Sequence, residues 1–432
     1  MHLTGRSYFL AVLAAVLGIS GLWSADPALH GLWSGPLALL LAGLAYESDR
    51  VRRMQLDVML DIPRRLFLGR ATSAAFLFAQ SGARSLTLEY APAAPAAFLP
   101  LGAPRRLRVS GGVPVRDAFE AVAVRLGPQE WPALPARVLG RLGLAWWSHD
   151  LVPACRLQVA PDTLRAAGRR PGGVLAGQRL RGRSGAGNEL HQLRAYVPGD
   201  PLGRIDWKAT ARSGALVTRE LTEDQHLDIL LLLDAGRLSR TGAGALDRLG
   251  LYANVAARFA RQATAQDDRA GVLVFADRPL ALCAPGRGLA AVRRIRDLLE
   301  GLETQAGESD VVAAAARARS LLRRRSLVVL LTDLDDATLA GMLARAVRLL
   351  APPHLVLVAG VQSPEIAALA QAPARDWRDP WVALAATEHE RRARGHREQL
   401  RRMGVPVVAA REERLEDEVI GLYESLRRRR RI

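Results

Sequence analysis

Residues 227–234 read LDILLLLD, and this run decides the fold class of the C-terminal half of the chain. A nearly continuous apolar run is typical of a strand that is buried on both faces of a parallel sheet. Comparable runs recur at 270–277 (AGVLVFAD), 326–333 (SLVVLLTD), 354–361 (HLVLVAGV) and 405–410 (VPVVAA), and helical patterns separate most of them. This alternation predicts an α/β domain with a doubly wound, mostly parallel sheet.

A different pattern precedes this region. Between residues 54 and 167, short alternating runs such as LDVMLDI (56–62) and LTLEY (86–90) are broken by glycine and proline. Such spacing predicts a small β-sandwich. A Gly- and Arg-rich linker is expected at 168–187, so the predicted organisation is a membrane helical hairpin (1–53), the β-rich domain (54–167), the linker, and a C-terminal domain (188–432).

The hairpin is expected from two uncharged segments, Ser7 to Trp23 and Pro27 to Tyr46. Each is close to the length of a membrane helix. Arginines precede the first segment and follow the second, so the positive-inside rule leaves both ends in the cytoplasm. We therefore expect the inner membrane, with the other domains in the cytoplasm. The alternative is a signal peptide that is cleaved after Ala25.

The excess of positive charge indicates an anionic partner. The net charge is +17 at pH 7, which suits nucleic acid, lipid headgroups or an acidic protein surface. Aromatic residues make up 5% of the chain, which supplies few rings for base stacking. We expect no nucleic-acid binding, and the sequence has no glycine-rich nucleotide loop after any predicted strand.

Two acids, Asp234 and Asp333, end two of the predicted central strands. Ligands bind beyond the carboxyl ends of such strands, and carboxylates suit Mg²⁺. The element order and these acids resemble a von Willebrand factor type A domain, whose metal site uses Asp-x-Ser-x-Ser, a distant Thr and a second Asp. Here Gly236 and Leu238 stand at the serine positions, and Ser309 is a candidate replacement for the threonine. We expect the acids to bond backbone amides or Arg237, and any Mg²⁺ site to be empty or weak.

The segment just before the first central strand carries a second resemblance. NELHQLRAYVPGDPLGRIDWKATARSGALVTREL (188–221) resembles the signature of the bacterial domain-of-unknown-function family 58. The matching residues are Glu189, Arg194, Tyr196, Gly199, Asp200, Arg204, Asp206, Trp207, Lys208 and Arg212. The resemblance extends over the whole chain, and it implies a MoxR-type AAA+ ATPase as partner, with a role in assembling or maturing envelope or metal-containing complexes.

The signature segment also predicts local structure. Asp200 can cap a short helix that starts at Pro201 and ends before Gly214. Arg204, Lys208 and Arg212 would then form one basic stripe, with Ile205 and Trp207 available for burial. Lys208 is the only lysine in the chain, which favours a specific role over a generic positive charge.

Together these patterns predict a membrane-anchored scaffold or interaction protein that is not an enzyme and has no cofactor. The alternatives are a metal-dependent hydrolase using Asp234 and Asp333, and a nucleic-acid-binding protein. The hydrolase lacks a recognisable pair of nucleophile and base.

Overall fold

The computed structural model describes residues 1–23, 29–82, 85–162, 184–222, 226–243 and 246–428. The alternative cleavage position at Ala25 and residues 168–183 of the predicted linker lie outside these ranges. The chain forms two compact units, one made of residues 1–162, 241–254 and 296–304, and the other of residues 163–240, 255–295 and 305–432. The fold is mixed α/β with several sheets.

The helices are α1 (Gly5–Leu22), α2 (Ser34–Arg52), α3 (Trp207–Ser213), α4 (Arg248–Ala265), α5 (Gly288–Glu300), α6 (Val311–Leu321), α7 (Ala337–Leu350), α8 (Pro364–Gln371), α9 (Asp379–Arg402) and α10 (Glu412–Arg428). The strands are β1 (His2–Leu3), β2 (Leu56–Asp61), β3 (Arg65–Phe67), β4 (Ala71–Gln80), β5 (Leu86–Tyr90), β6 (Arg105–Val109), β7 (Val115–Val122), β8 (Gly127–Glu130), β9 (Leu134–Leu139), β10 (Ala145–Leu151), β11 (Arg156–Ala160), β12 (Ser184–Ala195), β13 (Val217–Thr222), β14 (Asp228–Asp234), β15 (Gly242–Ala243), β16 (Leu246–Asp247), β17 (Arg269–Phe275), β18 (Pro279–Gly286), β19 (Leu327–Leu331), β20 (Leu355–Val361) and β21 (Val407–Ala410).

The first unit is rich in β-structure. Its larger sheets have the orders β1-β10-β9-β5-β6, β2-β4-β7 and β3-β11-β8, and their pairings are antiparallel except for β3 with β11. Aromatic rings fill its core: Phe76 stacks on Phe119 with centroids 4.6 Å apart, and Tyr90 and Trp131 meet Phe76 edge-on. These rings come from β4, β5, β7 and the residue after β8, so several strands contribute to one apolar core.

Both N-terminal helices are tied to the turn between β9 and β10. Thr4 and Ser7 at the start of α1 donate hydroxyl hydrogen bonds to the Leu144 carbonyl. On α2, the fully buried Glu47 carboxylate accepts backbone N–H groups of Leu142, Leu144 and Ala145 at 2.7–3.2 Å. A buried carboxylate needs such donors to replace its hydration. These contacts anchor α1 and α2 to the sheet.

The outer surface of α1 is apolar. Phe9, Val12, Val16 and Ile19 are each exposed by 55–66%. Among the described residues, α1 is the one helix long and apolar enough to cross a membrane. The second apolar segment of the sequence forms α2 from Ser34, and that helix carries Glu47 and further charged residues in its C-terminal half.

The second unit contains a six-stranded sheet with the order β18-β17-β14-β19-β20-β21. Five strands are parallel, and β18 runs antiparallel to β17 at one edge. The predicted strands at 227–234, 270–277, 326–333, 354–361 and 405–410 are confirmed. The central strands are buried along their length.

Helices cover the sheet of the second unit. One core cluster joins alternate strand residues such as Leu230, Leu232 and Phe275 to α6 and α7. Another contact joins α4 to α10, where the rings of Phe259 and Tyr423 lie 4.9 Å apart. Burial of both strand faces accounts for the nearly continuous apolar runs in the sequence.

Candidate functional site

The signature segment folds as a strand pair with a short helix between the strands. β12 pairs antiparallel with β13, and α3 lies in the connection. Ile205 is 3% exposed and forms a bridge with the buried Thr218, so the segment has a small core, and the predicted burial of Ile205 is confirmed. Glu189 lies in β12, but its side chain is outside the described part of the structure.

Arg194 and Asp200 form the strongest ion pair of this segment. Arg194 Nη1 and Nη2 donate to the two carboxylate oxygens of Asp200, each at 2.7 Å. The Val197 amide also donates to Asp200 at 3.0 Å, and Gly199 takes a φ of 111° in the turn between them. The hydrogen bonds from Arg194 first, and from Val197, lower the pKa of Asp200 to about 2. Asp200 therefore stabilises a turn, and the prediction that it caps a helix is wrong.

Asp206 caps the helix instead. Its carboxylate accepts the Ala209 N–H at 3.0 Å, and α3 runs only from Trp207 to Ser213. The end of the helix agrees with prediction, because Gly214 takes the left-handed conformation with a φ of 68°. The Asp200 carboxylate is bound by Arg194, so Asp206 is the acid that is available to cap α3.

This boundary breaks the predicted basic stripe. Arg204 lies in a separate 3₁₀ turn at 202–204, and only Lys208 and Arg212 share α3. The predicted burial of Trp207 is also wrong, because its side chain is 67% exposed.

Exposed groups of the segment are of two kinds. Leu202 and Trp207 are large apolar residues exposed by 71% and 67%, and Lys208 and Arg212 are exposed cations. We call these four residues the signature surface. Tyr196, two residues after Arg194 in the sequence, is half-buried. The signature thus combines paired charges that hold its shape with unpaired groups that face solvent.

A second site lies at the carboxyl ends of the adjacent parallel strands β14 and β19. Asp234 is 2% exposed, and both of its oxygens accept hydrogen bonds. Ser309 Oγ and the Gly236 amide donate to Oδ1 at 2.5 and 2.9 Å, and Thr332 Oγ1 donates to Oδ2 at 2.5 Å. Burial raises the pKa of Asp234, while these hydrogen bonds lower it. Sequence reasoning missed Thr332, although its place directly before Asp333 was a signal.

The residues around Asp234 do not fit a magnesium ion. Gly236 and Leu238 supply no side-chain oxygen, and the Ser309 hydroxyl is directed at Asp234. Asp333 accepts the Asp335 amide at 2.8 Å. Within the described ranges, no group of three or more His, Cys, Asp or Glu side chains could hold a metal. Mg²⁺ requires a nearly octahedral shell of oxygens, which this arrangement does not offer.

Asp234 and Asp333 each accept a backbone amide, which was one expectation, whereas the expected bond to Arg237 is not found among the described residues. Its guanidinium pairs with Glu308 at 2.7 Å, and its amide donates to the Gly307 carbonyl at 2.9 Å. Because Ser309 is in the same loop, the two contacts fix the 307–309 segment beside Asp234. Asp234 therefore joins β14, β19 and this loop.

Parts of this chain are similar in sequence to known proteins. A family model described as protein of unknown function DUF58 matches residues 192–403. Uncharacterized proteins of Mycobacterium tuberculosis and Mycobacterium bovis are 26% identical over 163 residues, which is 37% of this chain and 51% of theirs. The chain thus spans about half the length of the mycobacterial relatives it matches.

Solved structures give weak likenesses. An uncharacterized membrane spanning protein from Vibrio fischeri is 17% identical, with a TM-score of 0.20, and the match covers 47% of this chain and 98% of that one. Proximal thread matrix protein 1 from the mussel byssus is 13% identical, with a TM-score of 0.25 and coverage of 32% and 37%. At these TM-scores neither likeness carries an argument about fold or function. A model of the family described as protein of unknown function DUF58 thus matches residues 192–403, which include all the signature residues except Glu189.

Proposed function

We propose that this chain is a membrane-anchored, non-catalytic interaction protein that binds its partner through the signature surface. One observation carries the proposal: the segment pairs Arg194, Asp200 and Asp206 internally, while Trp207 and Lys208 face solvent. An exposed tryptophan at the start of a capped helix resembles the aromatic anchors that dominate protein interfaces. The internal ion pairs would fix its position before the partner arrives, which lowers the entropic cost of binding.

The proposed partner is a MoxR-type AAA+ ATPase, as the family resemblance implies. Lys208 and Arg212 suit an acidic rim around an apolar pocket for Trp207. The proposed role of such a complex is the assembly or maturation of envelope or metal-containing complexes. Neither binding the ATPase nor this assembly role requires a reaction catalysed by this chain.

Membrane anchoring is proposed through a hairpin of α1 and α2. The exposed apolar side chains of α1 support it, since lipid would cover them. Arg6 in the first turn of α1 and Arg50, Arg52 and Arg53 at the end of α2 favour a cytoplasmic position for both ends. The proposed location is therefore the inner membrane, with the parts of the two units outside this hairpin in the cytoplasm.

A von Willebrand factor type A-like, doubly wound fold is proposed for the sheet of the second unit. Numbered along the chain, its strands follow the order 3-2-1-4-5-6, and the direction of the order changes between β14 and β19. Such a switch point is the usual ligand position in doubly wound folds. Here it holds Asp234, whose donors are hydroxyl and amide groups of its own chain. That environment favours a structural role over the alternative of a metal-dependent hydrolase.

Capture of the purified MoxR-type ATPase of the same organism by the full chain in detergent tests the proposal. We expect Trp207→Ala to reduce capture at least about tenfold, as truncation of an interface anchor does. The matched control is Trp377→Ala, because Trp377 is 71% exposed and lies outside the signature. Equal capture by the two variants would refute the role of the signature surface.

A further inference from the structure

A cleft of about 110 Å³ opens in the second unit, at the carboxyl ends of β19, β20 and β21. Residues that follow these three strands form part of its wall, and α9 forms another part. The polar residues that line it are Asp335, Gln362, Ser363, His389, Glu390, Arg397 and Arg411. None of them belongs to the signature surface, and the function proposed above does not use them.

Arg397 is the most unusual of these residues. It lies on α9 and is only 9% exposed. Its Nε donates to the Ala393 carbonyl at 3.1 Å, while its Nη atoms form no ion pair or hydrogen bond within the part of the chain that the structure describes. Burial lowers the pKa of Arg397, and the nearby charge of Asp335 opposes that effect. A buried cation that forms no direct ion pair is costly, and a bound anion would offset that cost.

Other donors converge on the same space. The Arg411 side chain has no hydrogen bond or ion pair among the described residues, and His389 Nε2 is buried without a partner. The first turn of α8 also lines the cleft, through Ile366 and Ala367. The N–H groups at a helix start have no partner inside the helix and favour anions.

The two acids in the wall do not neutralise these donors fully. Glu390 pairs with Arg394 at 2.9 Å, which lies on the same helix. Asp335 and Glu390 both act on Arg397 electrostatically, but within the described residues neither forms an ion pair with its guanidinium. Arg411 forms no ion pair with the described residues either, so both guanidinium groups can still pair with an anion.

We propose that this cleft binds a phosphate group. Two guanidinium groups, an imidazole and a helix start surround the space, so donors come from several directions. The three terminal oxygens of a phosphomonoester accept hydrogen bonds over a wide range of directions, whereas the two oxygens of a carboxylate lie in one plane. A free phosphomonoester and a phosphorylated side chain share this chemistry.

Calorimetric titration of the full chain in detergent tests the proposal, with sodium phosphate, phosphoserine and adenosine monophosphate as probes and sodium chloride at matched ionic strength as the blank. We expect at least one phosphate probe to bind, and Arg397→Gln and Arg411→Gln to weaken it about tenfold or more, because each removes a charged donor. Tighter binding of phosphoserine assigns the site to a modified side chain. Tighter binding of the nucleotide assigns it to a small molecule.

Arg392→Gln is the matched control, since Arg392 lies on α9, is 63% exposed and pairs with Glu388 outside the cleft. If Arg397→Gln fails to fold, Arg411→Gln decides the question, because its side chain is exposed. Absence of binding by every phosphate probe, or equal binding by the Arg411 and Arg392 variants, would overturn the proposal.

Discussion

The Ser309 hydroxyl donates to Asp234 Oδ1 at 2.5 Å and fills the space where a side chain at position 236 would begin. A Cβ atom added at Gly236 would lie 2.1 Å from this hydroxyl. Glycine at 236 and serine at 309 are therefore a matched pair. The same serine satisfies a buried carboxylate, so one hydroxyl determines both the backbone packing and the electrostatics at this strand end.

Gly236→Ala should destabilise the fold by about 1–3 kcal/mol, since the loop and Ser309 must move apart. Ser309→Ala should cost a similar amount, because Asp234 loses a donor while buried. In the double variant the clash is relieved, so the combined loss should be smaller than the sum of the single losses. Urea unfolding of all four proteins measures this coupling, and simple additivity would contradict the matched pair.

Divalent cations should bind this site weakly or not at all. Both Asp234 oxygens already accept hydrogen bonds from the protein, and Mg²⁺ gives up its own water ligands reluctantly. Calorimetric titration with Mg²⁺ and Mn²⁺ should show no micromolar affinity. A micromolar site that Asp333→Ala abolishes would prove this prediction wrong.

Ile205 and Trp207 should separate stability from partner binding. Ile205→Ala removes a buried side chain and should cost about 2–4 kcal/mol of unfolding free energy. Trp207→Ala and Lys208→Arg change exposed groups and should each stay within about 0.5 kcal/mol of the parent. Thermal melts of the three variants check this order. A large loss for Trp207→Ala would mean that the ring is buried in solution.

The Arg194–Asp200 pair should make stability fall at acid pH. The pKa of Asp200 is about 2 in the folded chain, below the value near 3.9 of an unfolded aspartate. Its contribution is therefore present above about pH 4 and is lost as the pH falls towards 2. The stability difference between the parent and Asp200→Asn should shrink over that range in urea titrations. Asp417→Asn, an exposed change on α10, should show no such trend.

An arginine in the middle of α1 should release the chain from membranes. Val16 is 55% exposed, so Val16→Arg leaves the interior of the first unit intact. The same charge at the centre of a membrane helix is strongly unfavourable. We expect the variant to move to the soluble fraction after cell lysis. Val113 is 67% exposed and lies between β6 and β7, so Val113→Arg should leave the distribution of the parent unchanged. Membrane retention of Val16→Arg would argue against α1 as the anchor.

The strands of the second unit could be predicted because their signal is local: an apolar run shows burial on both faces wherever the strand lies. The helix start at α3 could not, because Asp200 and Asp206 are both good caps, and only the position of Arg194 decides between them. The exposure of Trp207 depends in the same way on what packs nearby. Arg397 looks in the sequence like every other arginine of α9, and only its burial sets it apart.

The contact between Glu47 and the β9–β10 turn also constrains the order of events during synthesis. The backbone amides that donate to Glu47 lie 95–98 residues later in the chain. At a synthesis rate of about 5–20 residues per second, they emerge from the ribosome roughly 5–20 seconds after Glu47. Throughout that delay the carboxylate has water as its main source of hydrogen bonds. In the proposed membrane hairpin, the C-terminal half of α2 would therefore stay outside the lipid until the turn has been synthesised, and neither helix would reach its final depth before then.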